Sequence, residues 1–255
     1  ALAGLLIAIS PALAFAAALV FNLIALGGFF FLKERAPQPV AEGMNAMLGS
    51  ALEGLRFITA RKIILGAISL DLFAVLFGGA TALLPIYATQ ILHVGAAGFG
   101  ILRAAPAVGA ACVAAWLVRR PIERHAARWL FWCVAGFGVS TIVFGLSHTM
   151  LLSLIALAFI GAFDMVSMVI RNALTQLGVP ESMRGRVGAI ENIFIGASNE
   201  LGTFESGTVA AWLGPIPSVV LGGCATLIVI ALWAGLFPAL RGLDRLSEQF
   251  VTPPV

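Results

Sequence analysis

One stretch, residues 188–212, sets Glu191, Asn192, Asn199, Glu200 and Glu205 in a sequence that otherwise reads as a membrane helix. Asp71, Arg103 and Asp164 are likewise placed deep in apolar stretches. A charge near the bilayer centre costs about 2.5–3.5 kcal/mol on insertion scales, so such residues face a protein interior or a water-filled path. With a rise of about 1.5 Å per residue, Asp71 and Asp164 fall about 10 Å from one end of the spans. On the same rise, Arg103 and Glu200 come at about 20 Å and Glu205 at about 25 Å. The expectation is two clusters: a pair of aspartates, and a deeper group of Arg103, Glu200 and Glu205. One arginine holds one or two carboxylates by charge-assisted hydrogen bonds. The surplus acids are then placed to take up and release protons as their surroundings change, as proton-coupled transport requires. The competing reading is a static lock in which Arg103 ties helices together.

On a helical wheel Ile190, Ile193, Phe194, Ala197, Leu201, Phe204, Thr208 and Trp212 share one arc, with the polar residues and glycines filling the rest and Ile195 the main exception. One narrow face suits lipid, and the remainder must meet other helices or water. Glu191 lies at the entrance of this span near Arg184 and Arg186, where a headgroup-level ion pair is expected. Asp164, Ser167, Met168, Arg171 and Thr175 form a stripe at helical spacing, with Arg171 expected as a solvated interfacial residue. His93, His125 and His148 fall in turns and form no metal or catalytic set. No Ser-His-Asp grouping, phosphate loop or HExxH is present, so the sequence offers no foothold for an enzyme and implies no cofactor or metal. Cys112, Cys133 and Cys224, without CxxC spacing, read as small core residues.

These residues need elements to hold them. Of 255 residues 60% are hydrophobic and 11% charged. Soluble domains carry roughly 25% charged residues, so this is an integral membrane protein. Its net charge of +3 is segregated rather than spread, and nucleic-acid binding is unsupported. Residues 1–32 read as a helix tail broken at Ser10-Pro11, followed by a span at about 12–32. Residues 33–62 read as a linker, with Lys33, Arg35 and Pro37-Gln38-Pro39 ahead of an amphipathic helix at the membrane surface over 41–62. Six further spans fall within 63–238, at about 63–91, 97–118, 128–147, 150–172, 188–212 and 215–238, before a tail at 239–255. The turns at 10–11, 92–96, 147–149 and 213–217 hold no Lys or Arg. The alternate turns hold Arg61 and Lys62, then Arg119 to Arg128, then Arg171 to Arg186, then Arg241 and Arg245. The positive-inside rule makes the basic side, and with it the carboxy terminus, cytoplasmic. The fold expected is an all-α membrane protein whose six helices divide into two inverted three-helix repeats, a transporter architecture also compatible with channels and structural subunits.

EGLRFI (53–58), GILRAAPAVGA (100–110) and above all RNALTQLGVPESMRGRVGAIENIFIGASNELGTFESG (171–207) resemble the carboxy-terminal half of a major facilitator superfamily transporter. Within it they are similar to the enterobactin-exporter-like group, the transmembrane secretion effectors. The resemblance implies a six-helix bundle with one preceding span and a linker helix, in the bacterial inner membrane. It further implies alternating-access export by proton antiport, a siderophore or hydrophobic drug as cargo, and an amino-terminal half that completes the cavity. The superfamily loop motif matches poorly at 119–128: Arg119 and Ala126 stand where glycines would be and Glu123 for Asp, while Arg124 agrees. Arg124, with Glu123, Arg171, Arg184, Arg186 and Glu191, is the expected cytoplasmic gate. Asp71, Arg103, Asp164, Asn199, Glu200 and Glu205 are the expected proton or substrate path. The alternative is a non-transporting membrane scaffold.

Overall fold

Most breaks between the helices fall at glycine or proline. The structure, a computed structural model, describes residues 10–29, 44–122 and 124–243. The expected features at 1–9, Lys33 to Glu42, Glu123 and the tail from 244 lie outside the described residues. Among the described residues every element is helical: α1 (Pro11–Phe29), α2 (Met44–Ala60), α3 (Lys62–Phe77), α4 (Gly95–Arg119), α5 (Ala126–Gly145), α6 (Met150–Gly178), α7 (Glu181–Leu213), α8 (Pro215–Leu236) and the short α9 (Pro238–Arg241). Between α3 and α4 the chain continues through a 3-10 turn (Ala80–Leu83), one α turn (Leu84–Ile86) and a π turn (Tyr87–Ile91). Gly78-Gly79 breaks the helix there, and Pro85 restarts it.

Among the described residues, five stretches are long and apolar enough to cross a membrane: Lys62–Ile91, Gly95–Arg119, Ala126–Gly145, Met150–Gly178 and Pro215–Leu236. Seven spans were expected from the sequence. The apolar part of α1 is shorter, Phe15–Gly28, and α7 is 33 residues long but carries too many polar groups to count by composition. α7 nevertheless packs on α3, α8 and α2 as part of the bundle. Both α6 and α7 extend past their apolar stretches, α6 to Gly178 and α7 from Glu181, so the turn between them is shorter than expected.

α4 packs on α6, α6 on α5, α5 on α8, and α8 on α3 and α7. One core layer, around Leu70, Leu130, Ile170 and Leu240, lies toward the arginine-rich end; a second, around Tyr87, Phe144, Leu157 and Leu102, lies toward the other. Lipid is as apolar as leucine, so close backbone contact and polar links must hold such helices together. The α4–α6 crossing uses both: a Cβ on Gly109 would strike the Ala158 carbonyl, and one on Gly161 the Pro106 carbonyl. α3 is tied on two sides by hydroxyls. Ser198 Oγ on α7 donates to the Leu72 carbonyl at 2.6 Å, and Thr226 Oγ1 on α8 lies 3.4 Å from the Ala74 carbonyl.

α2 was expected to lie at the membrane surface. It is docked on α7 and α3, with Ile58 fully buried beside Ile64 and Ile190, and with Glu53 paired to Arg186. Gly54 makes this possible, since a Cβ there would meet Ile190.

Candidate functional site

Arg171 NH1 lies 2.6 Å from Asp71 Oδ2, and the pair is buried between α6 and α3. The solvated, interfacial Arg171 expected from sequence is therefore corrected: the residue is 5% exposed. The cause is the length of α6, which continues seven residues beyond Arg171 to Gly178 and so draws the guanidinium inside the bundle. Arg61 and Arg184 secure that extension. Arg61 NH1 donates to the Gly178 carbonyl at 2.8 Å, and Arg184 NH2 to the Gln176 carbonyl at 3.0 Å. Carbonyls of a last helical turn lack intrahelical partners, and arginine side chains satisfy them.

Glu191 on α7 is also buried, at 8% exposure, and feels the charge of Arg171. This corrects the expected headgroup pairing with Arg184 and Arg186. Arg184 caps α6, and Arg186 turns to Glu53 on the docked α2. Asp164, two turns before Arg171 on α6, lies within the same electrostatic reach. One acid, Asp71, thus pairs with the guanidinium, and two more from α6 and α7 lie within its electrostatic reach. A small crevice beside them is lined by Asp71, Asp164, Ser167, Val75, Cys133 and Phe137, among others. Among the described residues, Ser167 Oγ and Arg171 Nε are buried with no hydrogen-bond partner. Buried polar atoms nearly always find partners, so the cluster retains capacity to bind water or to exchange partners.

The deeper group does not form. Arg103 on α4 and Glu200 on α7 are exposed, and among the described residues no ion pair joins Arg103 to Glu200 or Glu205. The physical reason is topological, because α4 packs on α6 while α7 packs on α2, α3 and α8. Glu205 is half-buried, and its carboxylate accepts a long hydrogen bond from Ser206 Oγ at 3.4 Å. The polar arc of α7 splits in two. Glu191, Ser198, Gly202 and Ser206 face the bundle, while Asn192, Asn199, Glu200 and Thr203 stay open beside the exposed Ile193, Leu201 and Phe204. Arg124 is exposed at the turn before α5. Cys133 is buried as expected, but Cys112 lies on the open side of α4.

A model of the transmembrane secretion effector family matches residues 1–254. The chain belongs to that family, a branch of the major facilitator superfamily. Among curated relatives it is 28% identical over 227 residues to the enterobactin exporter EntS of Citrobacter koseri, covering 87% of this chain and 54% of the relative. It is 26% identical over 235 residues to the enterobactin exporter EntS of Escherichia coli O81, covering 90% of this chain and 56% of the relative. The chain spans about half the length of these curated relatives. No solved structure matches it significantly. Family membership makes it a multi-pass membrane protein of a transporter family.

Proposed function

We propose that this chain forms one half of a proton-coupled exporter for a small molecule. Its six-helix bundle, Lys62 to Leu236, would rock against a second bundle from an amino-terminal half, with the arginine-rich end toward the cytoplasm. The observation that carries the reading is the buried Arg171–Asp71 pair with Asp164 and Glu191 beside it. Carboxylates in excess of the one fixed positive charge give protons a place to bind and leave. The three acids sit on α3, α6 and α7, so proton occupancy would bear on how those helices hold together. The open polar strip of α7, with Asn199 and Glu200, and Arg103 on α4 supply polar groups for a substrate path, while half-buried Glu205 flanks it. The cargo named for the relatives, a siderophore, suggests a substrate of that amphipathic class.

The test uses the complete transporter in proteoliposomes carrying a pH-sensitive dye. Adding a siderophore or a hydrophobic drug is expected to drive proton movement opposite to the cargo, and Asp71→Asn to abolish it. Cargo movement that continues at an unchanged rate with the proton gradient collapsed would overturn proton coupling. Absence of any cargo movement with a well-folded protein would instead favour a non-transporting scaffold.

A further inference from the structure

We propose that the groove between α5 and α8 is a binding site for an anionic phospholipid of the leaflet at the arginine-rich end. The groove is lined by Arg128, Phe131, Trp132 and Ala135 from α5, Ile230 and Ala234 from α8, and Arg241 from α9, and holds about 310 Å³. That size stands at the lower end of the range of about 300–1,000 Å³ of ligand clefts. Its chemistry is divided along its length. Two arginines, both exposed, stand at one end; aromatic and aliphatic side chains line the rest.

The fold fixes that arrangement. Arg128 stands in the first turn of α5 and Arg241 ends α9, and the two segments are bound by a backbone hydrogen bond from the Ala127 N–H to the Leu243 carbonyl at 3.3 Å. Ala126, Leu130, Leu240 and Leu243 pack beneath that link in the core. Neither arginine has an acidic partner among the described residues. The α5 amino terminus adds partial positive charge at the same place. Below, Trp132 is 74% exposed, and Val139 and Val143 on α5 and Ile228 and Leu232 on α8 continue an exposed apolar surface away from the arginines.

Charge complementarity decides the occupant. In a membrane, exposed apolar side chains meet acyl chains, and paired arginines at their upper end meet headgroups. A single phosphate carrying no compensating ammonium matches two guanidiniums, which form charge-assisted hydrogen bonds to phosphate oxygens. Basic pockets between transmembrane helices recognise anionic lipid headgroups in this way. A zwitterionic lipid fills the same apolar groove but brings an ammonium toward the arginines. The site therefore selects phosphatidylglycerol-like lipids over phosphatidylcholine-like ones. Lipid selection depends only on the position of the groove at the arginine-rich end, apart from the coupling mechanism.

The experiment places the full chain in nanodiscs of phosphatidylcholine with increasing amounts of lipid brominated on the acyl chain, which quenches nearby tryptophan. The Trp132 signal is isolated by subtracting the Trp132→Phe protein. Brominated phosphatidylglycerol is expected to quench Trp132 at a mole fraction on the order of tenfold lower than brominated phosphatidylcholine does. Arg128→Gln/Arg241→Gln should erase that preference while leaving quenching by phosphatidylcholine in place, and Arg128→Lys/Arg241→Lys should keep most of it. Equal quenching by the two lipids in the unsubstituted chain overturns the proposal, as does a preference that survives the double glutamine variant. Protection of Trp132 from every brominated lipid overturns it too, and points to a protein segment or second copy in the groove.

Discussion

Arg171 reaches from α6 to Asp71 on α3 across 2.6 Å, and this contact joins the first and fourth of the six helices of the bundle. A buried ion pair gains little over a well-packed apolar pair, but breaking one strands a charge at about 3–5 kcal/mol. Arg171→Met and Asp71→Leu should each lower the melting temperature in detergent sharply. The double substitution Asp71→Leu/Arg171→Met should recover only part of the loss, because Asp164 and Glu191 then lack the nearby guanidinium. A double variant no more stable than the worse single one would show that the two residues act independently.

Arg103 and Glu200 give the opposite expectation. Both are exposed and unjoined by any ion pair among the described residues, so Arg103→Gln and Glu200→Gln should each shift stability by less than about 0.5 kcal/mol. Their effects should add, as they do for independent sites. A coupling energy above about 1 kcal/mol in the double-mutant cycle would restore the static lock between α4 and α7.

The α4–α6 crossing depends on the absence of two side chains. Gly161→Ala would push a methyl group into the Pro106 carbonyl, and Gly109→Ala one into the Ala158 carbonyl. Overpacking of this kind costs about 1–3 kcal/mol. Melting of either variant is expected well below the parent, while Gly196→Ala on α7, where an added Cβ meets nothing, should melt like the parent. Similar behaviour in all three would refute the tight crossing.

Arginine placement predicts the topology. Single cysteines at positions 124 and 184 should resist an impermeant thiol reagent in intact cells, whereas those at His93, His148 and Ile216 should react. The background for this assay lacks Cys112, Cys133 and Cys224. Labelling of position 124 from outside would invert the orientation.

How much was legible in the sequence differs from residue to residue. The helical character, the turn at Gly214-Pro215, and the segregation of Arg124 and Arg184 from His93 and His148 are local properties, written in composition and spacing. Asp71, Asp164 and Glu191 stood out because charge is conspicuous in an apolar span. Their partner did not. Arg171 seemed a surface residue because hydropathy ends before the helix does; α6 continues through Asn172 to Gly178 by virtue of helix-forming residues and the caps from Arg61 and Arg184. Equal estimated depth suggested that Arg103 should meet Glu200, yet depth fixes only one coordinate. Which helices are neighbours is decided by where small residues allow backbones to touch, at Gly109 against Ala158 and Gly202 against Leu76. The sequence by itself therefore determined the class of protein and which charged residues its apolar stretches carry. Only the tertiary structure decided which charges meet, because pairing depends on lateral helix packing, and that packing arises from contacts between residues far apart in the chain.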